Sequence, residues 1–179
     1  MNRAEPMPAL AALLREHRDA VTQRWIADIL ATYPAEAATA FGREQDRFAN
    51  PVGYSVRAGA QSIVAALCDG MAPVALRAGL HEILRVRAVQ QFSPAQALGF
   101  VFRLKDAILA ELAGADGAPP AAVVPAALDD VIESLALMAF EVYTECREQV
   151  YRLRLEETKR RVSWVVDRLN RRSEETAPL

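Results

Sequence analysis

Apolar residues recur along this chain every three to four positions, and no alternating run of useful length interrupts them, so the sequence predicts helices throughout. A first helix is expected from Pro8 to Thr32, with Leu10, Leu14, Val21, Trp25 and Ile29 along one side. Tyr33-Pro34 closes it, because proline disfavours helical geometry in the residue before it. The Ala-rich stretch from Ala35 to Phe48, with Gly42 inside, predicts only a short or frayed helix. Asn50-Pro51 opens the next one: the asparagine side chain caps free amides and proline fits the first helical position. Val52, Val56, Ala60, Ile63 and Leu67 mark its buried side, and Gly70 stops it. Pro73 begins a helix with Val74, Leu76, Leu80, Ile83 and Leu84 inward and Arg77, Arg85 and Arg87 nearer water. Ser93-Pro94 repeats the cap-plus-proline device for a helix from Pro94 to Ala113. That helix is apolar around most of its circumference and is expected at the centre of the fold. Asp116-Gly117-Ala118-Pro119-Pro120 then reads as a loop.

From Asp129 to Arg172 there is neither proline nor glycine, so one helix of roughly 65 Å is expected at 1.5 Å per residue. Val131, Ile132, Leu135, Met138, Ala139 and Val142 make its first half core-like, and a heptad-like seam continues through Tyr143, Cys146, Val150 and Leu153. A charged block from Glu156 to Arg161 follows, after which Val162, Val165, Val166 and Leu169 restore the apolar spacing. Glu148/Arg152, Glu156/Arg160, Glu157/Arg161 and Asp167/Arg171 are four residues apart in the favourable order. The fold class expected is all-α: a single helical domain, globin-like or a bundle, with a long C-terminal helix. Its parts are a flexible start over 1–7, a domain over 8–155, a projecting helix over 156–172 and a frayed tail over 173–179.

Composition narrows the class. A chain of 179 residues with 52% hydrophobic and 25% charged residues sustains a full core and is not disordered. A net charge of −2 argues against a dedicated polyanion binder, so no nucleic-acid partner is expected. Cys68 and Cys146 cannot make a disulfide scaffold, which points to a reduced, cytoplasmic setting. The start of the chain has no apolar signal core. The longest uncharged stretch, Ala88 to Phe102, is broken by Pro94 and too short to cross a bilayer, so no membrane insertion is expected.

Candidate chemistry is sparse. His17 and His81 are the only histidines and the cysteines stand far apart, so no metal site is expected. His17 falls on an apolar stripe and reads as a core or boundary residue. His81 is the one candidate haem ligand, although Leu80 already holds the inward position. No nucleophile elbow, phosphate-cradling glycine loop or triad inventory is present, and both cysteines read as small buried hydrophobes. Lys105 and Glu141 each interrupt an apolar helical face, and a buried charge is costly unless paired. The two are therefore expected to neutralise each other across adjacent helices, with Arg87 as a third member. A structural ion pair is the plainer meaning, a polar pocket for a small signal the functional one. From Glu141 to Arg172 nine basic residues mix with six acidic ones, the pattern of a solvated or partner-contacting helix rather than of a basic DNA-binding region.

Three blocks carry a resemblance. They are Phe48-Ala49-Asn50-Pro51-Val52-Gly53-Tyr54; Arg85-Val86-Arg87-Ala88-Val89-Gln90-Gln91-Phe92-Ser93-Pro94-Ala95-Gln96-Ala97 with Phe100-Val101-Phe102 and Leu104-Lys105; and Leu137 to Tyr143 running on through Cys146-Arg147-Glu148 to Tyr151-Arg152-Leu153-Arg154. With Trp25 and Tyr33-Pro34, they resemble the amino-terminal domain of RsbRD-type RsbT co-antagonists, the stressosome sensor family. The resemblance implies a helical sensor or interaction module in stress signalling, haem-free and dimeric like related sensor domains, with no catalytic residues to carry over. In the full co-antagonists a STAS domain follows; its absence before Leu179 leads us to expect a stand-alone form. The function expected is thus a non-enzymatic sensor or adaptor without cofactor, dimeric through its C-terminal helix and bound to a protein of a signalling or redox complex. Its interface is expected at Tyr151, Leu155, Val162, Trp164, Val165, Val166 and Leu169. The alternative is a globin-like sensor of a small ligand or haem, with an enzyme a distant third.

Overall fold

The computed structural model describes residues 6–43, 46–113 and 123–175. They form α1 (Pro6–Glu16), α2 (Arg18–Leu30), α3 (Ala35–Arg43), α4 (Pro51–Cys68), α5 (Pro73–Val89), α6 (Pro94–Ala113) and α7 (Val123–Glu175), with no strand among the described residues. The class is all-α with a long last helix, as the periodicity predicts. The expected loop over 116–120 and the chain ends at 1–5 and 176–179 lie outside the described residues. Among those described, no helix is long and apolar enough to cross a membrane.

Local signals place most helix ends. The Asn50 side chain accepts from the Gly53 amide at 2.8 Å and donates to the Phe41 carbonyl at 2.8 Å, so one residue caps α4 and ties it to α3. At α6, Ser93 Oγ accepts from the Gln96 amide while Gln96 Oε1 accepts from the Ser93 amide, a reciprocal capping box. The expected first helix is instead two. Its axis bends at His17 (φ −106°, ψ 13°), although the flanking backbone bonds Leu13–His17 and His17–Val21 survive. The bend serves packing: α1 lies on α4 and α7, α2 on α4 and α6.

The core is one cluster drawn from α1, α2, α4, α5, α6 and α7. Val74, expected inward, is 82% exposed, because it sits in the first turn of α5 before that helix meets its neighbours. Phe102 is exposed too, so α6 keeps an outer side while Phe100, Val101, Leu104 and Ile108 are fully buried. Trp25 stacks on Phe100 and donates its indole N–H to the Phe100 carbonyl at 2.8 Å, which locks α2 to α6.

The crossing of α4 on α5 depends on two facing glycines. A Cβ on Gly59 would stand 2.7 Å from the Gly79 carbonyl oxygen, and one on Gly79 3.0 Å from that of Gly59. Backbone cannot yield as a side-chain tip does. Gly59→Ala should therefore lower stability by about 1–3 kcal/mol in urea unfolding, against the roughly 1 kcal/mol that alanine gains in an open helix. An unchanged or raised unfolding midpoint would show that the crossing opens freely.

Candidate functional site

Tyr33 and the second of the three blocks close around Arg87, and the third block reaches the same turn through Tyr143 and Arg147. This side chain, expected near water, is fully buried, and no carboxylate is among its partners. Its guanidinium lies 5.7, 5.2 and 5.1 Å from the ring centroids of Tyr33, Phe92 and Phe100. It donates to the carbonyls of Gln96 (2.9 Å) and Ala97 (3.2 Å) and to Thr32 Oγ1 (3.0 Å), while its Nε has no partner. The burial of Arg87 has a physical cause. The α5 periodicity puts Arg87 beside half-buried Arg85, but the enclosing rings come from the end of α2, the α5–α6 turn and α6, which the local pattern does not contain. Rings and carbonyls replace the missing counter-charge. Burial pulls the Arg87 pKa below its ordinary value, opposed by Tyr33, and pushes the Tyr33 phenol up, opposed by Arg87. Tyr33 in turn donates to Gln90 Oε1 at 3.2 Å.

The last helix is fastened to this centre. Tyr143 Oη donates to the Phe92 carbonyl, and Arg147 donates to the Ala88 carbonyl at 3.2 Å. Arg147 also covers the Tyr151 ring at 4.7 Å and bonds its hydroxyl. Among the described side chains Val150 is the last of α7 packed on the core, and from Tyr151 to Trp164 every residue is exposed.

On the side of α7 away from the core, Leu137, Phe140, Thr144, Glu148, Tyr151, Leu155, Thr158, Val162 and Val166 line up at helical spacing, all exposed, with Glu148 the charge in the middle of the row. Arg147, Arg154, Arg161 and Arg168 recur every seven residues along one flank, while the other mixes Arg152 and Lys159 with Glu141, Glu145 and Glu156. Part of that rim is held within the helix: Arg161 bonds Glu157, Arg152 stands 3.8 Å from Glu148, and Arg168 lies 5.3 Å over Trp164. The structure thus brings Tyr151, Leu155, Val162 and Val166 together on one strip, with Trp164 exposed on the opposite side beside Leu153. The side chains of Val165 and Leu169 lie outside the described residues. Leu137 and Phe140, beside the core-like positions of α7, are 71% and 55% exposed and belong to the strip. The arginine repeat was the overlooked signal.

Lys105 and Glu141 do not meet. Lys105 pairs with Asp129, and Glu141 with Arg77 at 3.5 Å, where Glu145 joins it. Lys105 stands at the edge of its stripe, where a long stem carries the charge to the rim. Glu141 is exposed on α7. Neither joins Arg87, so the three form no common pocket, and exposed pairs of this kind contribute about 0–1 kcal/mol each. His81 is exposed on α5, turned away from the core that Leu80 enters, and His17 is half-buried at the α1–α2 bend.

Burial raises the pKa of both free thiols, Cys68 and Cys146, and of the Tyr33 and Tyr143 phenols. Each of these groups favours folding in its neutral form. That contribution is complete below the ionisation range of the unfolded chain, near 9 for thiols and 10 for phenols, and is lost as the pH climbs through it. Urea midpoints should be level from pH 7 to 8.5, fall above 9 and fall faster above 10. The thiol portion should vanish in a Cys68→Ala, Cys146→Ala variant. A level profile to pH 11 would contradict the burial argument.

Comparison with known families finds that the model described as the RsbT co-antagonist protein rsbRD N-terminal domain matches residues 19–158. No curated protein and no solved structure matches the chain.

Proposed function

We propose, from the premise that the chain belongs to the family of the RsbT co-antagonist protein rsbRD N-terminal domain, that it is a non-enzymatic helical sensor whose output is a protein contact made by α7. The observation that carries this is the exposed apolar strip with its flank of arginines, which continues past the last described core contact at Val150. A helix extending this far into water gains little from propensity alone and is stabilised by packing against something else. The bonds from Tyr143 and Arg147 to the α5–α6 turn support a route by which the globule reports to that strip. Any shift of α7 has to break them, and Arg147 is also the residue that holds Tyr151. A cytoplasmic setting belongs to the same reading, supported by two thiols that are buried and unpaired.

A second copy is the simplest partner. In a parallel pair in register, flanking positions of the two helices meet, so Arg154 of one copy would lie near Lys159 of the other. That twin contact should therefore tighten as salt screens the repulsion. An acidic helix from a signalling or redox complex would behave in the opposite way, binding best at low salt. Light scattering at micromolar concentration, from low to 0.5 M salt, is expected to give twice the chain mass, with the dimer fraction rising with salt. A monomer throughout removes the twin and leaves the acidic partner as the occupant.

A further inference from the structure

Interiors pack as tightly as organic crystals and leave few voids larger than a water molecule. At the edge of this core, between α1, α4, α6 and α7, lies a half-open pocket of about 520 Å³. Leu14, Leu67, Ile108, Leu128 and Val131 underlie its floor, while Ala11, Arg15, Gly70 and Met71 stand at its mouth and supply most of its open surface. A second apolar space of about 150 Å³ continues toward α5 and shares Leu67, Met71 and Val131 with the first. The volume is that of a small-molecule site, lined mostly by hydrocarbon with few polar groups.

Two details of the mouth point to what enters. Gly70 and Met71 both have positive φ, 96° and 62°, and the Met71 amide closes the end of α4 on the Ala66 carbonyl. A left-handed methionine is uncommon and persists only where its surroundings impose it. Here it sets an unbranched, adaptable side chain between the two spaces. Arg15 is the only charged residue among the described lining, and it makes no ion pair among the described residues. A hydrocarbon space with a guanidinium at its opening that pairs with no described carboxylate matches a single aliphatic chain that ends in a carboxylate, since the guanidinium fork takes both carboxylate oxygens.

We propose that this cavity binds one free aliphatic monocarboxylate, the chain lying along Leu14, Leu67, Ile108 and Val131 and the carboxylate on Arg15. The site is separate from the α7 strip, and the two readings can fail independently.

Calorimetric titration of the full chain with laurate, kept below the concentration at which it forms micelles, is the test. One-to-one saturation is expected, with dodecylamine at least tenfold weaker. Arg15→Glu should weaken laurate at least tenfold and narrow its advantage over the amine. Ala11→Trp, which fills the mouth, should abolish binding while the helical circular dichroism is retained. If Ala11→Trp does not fold, the charge reversal at exposed Arg15 decides alone. Absence of saturable binding would overturn the proposal. So would laurate that binds both variants as it binds the parent but is lost in Leu155→Glu, because it would then be coating the outer strip.

Discussion

Arg87→Ala is expected to lower stability by about 3–5 kcal/mol, within the range for emptying a large buried site, whereas Arg87→Met should stay within about 1 kcal/mol of the parent. The asymmetry follows from what encloses the side chain. Alanine would leave a void among Tyr33, Phe92 and Phe100 and forfeit three cation–ring contacts along with the hydrogen bonds to Thr32, Gln96 and Ala97. Those acceptors have other bonds to fall back on: Thr32 Oγ1 already donates to the Ile29 carbonyl at 2.7 Å, and the two carbonyls open a helix. The void, not the orphaned acceptors, therefore dominates. Methionine fills much of that volume and removes a desolvated charge that has no carboxylate to neutralise it, a trade that is often neutral or better. Urea unfolding of both variants, with unchanged denaturant slopes, is the measurement. Equal losses for alanine and methionine would mean that the charge itself, rather than the volume, holds the centre.

The same residue shows where a sequence is readable and where it is not. Caps are local, so Asn50-Pro51 and Ser93-Pro94 announce α4 and α6 from a few neighbouring letters, and the structure makes those bonds. Enclosure is not local. Tyr33 and Arg87 are far apart in the chain, and only the packing of α2 against α6 brings ring and guanidinium to 5.7 Å. Helical period therefore sets Arg87 near water, and the cost of an unpaired buried charge predicts a pair between Lys105 and Glu141. In the structure each reaches a nearer opposite charge at the surface, Asp129 for the lysine and Arg77 for the glutamate. The bend at His17 is hidden for a similar reason. Neither proline nor glycine marks it, and it exists because the two halves serve different neighbours. On α7 the apolar letters beyond Val150 could be recognised as surplus to the core, while Leu137 and Phe140 could not, since the same helical turns also carry buried Leu135 and Ala139.

The double substitution Leu155→Glu, Val162→Glu should reduce affinity for the α7 partner, twin or otherwise, at least 100-fold, about 3 kcal/mol, with the unfolding midpoint of the chain unchanged. Both positions are more than half exposed, so neither change opens a cavity in the core. Glutamate is a better helix former than valine, and at 155 it stands four residues before Lys159, the favourable order for an in-helix pair. What it does to a contact is different: it puts a carboxylate into the apolar strip, where a partner would have to desolvate it. Trp164→Ala should leave the binding nearly unchanged, because the indole, held under Arg168, stands on the side of α7 opposite the strip. Phe102→Glu supplies the control, since that ring is 56% exposed on α6 and outside the strip. Loss of the partner in Phe102→Glu with full retention in the double variant would place the contact on α6 and remove α7 from it. The reverse result, with the salt dependence of the surviving complex, would also tell a twin from an acidic partner, because the rim of Arg147, Arg154 and Arg161 repels the one and attracts the other.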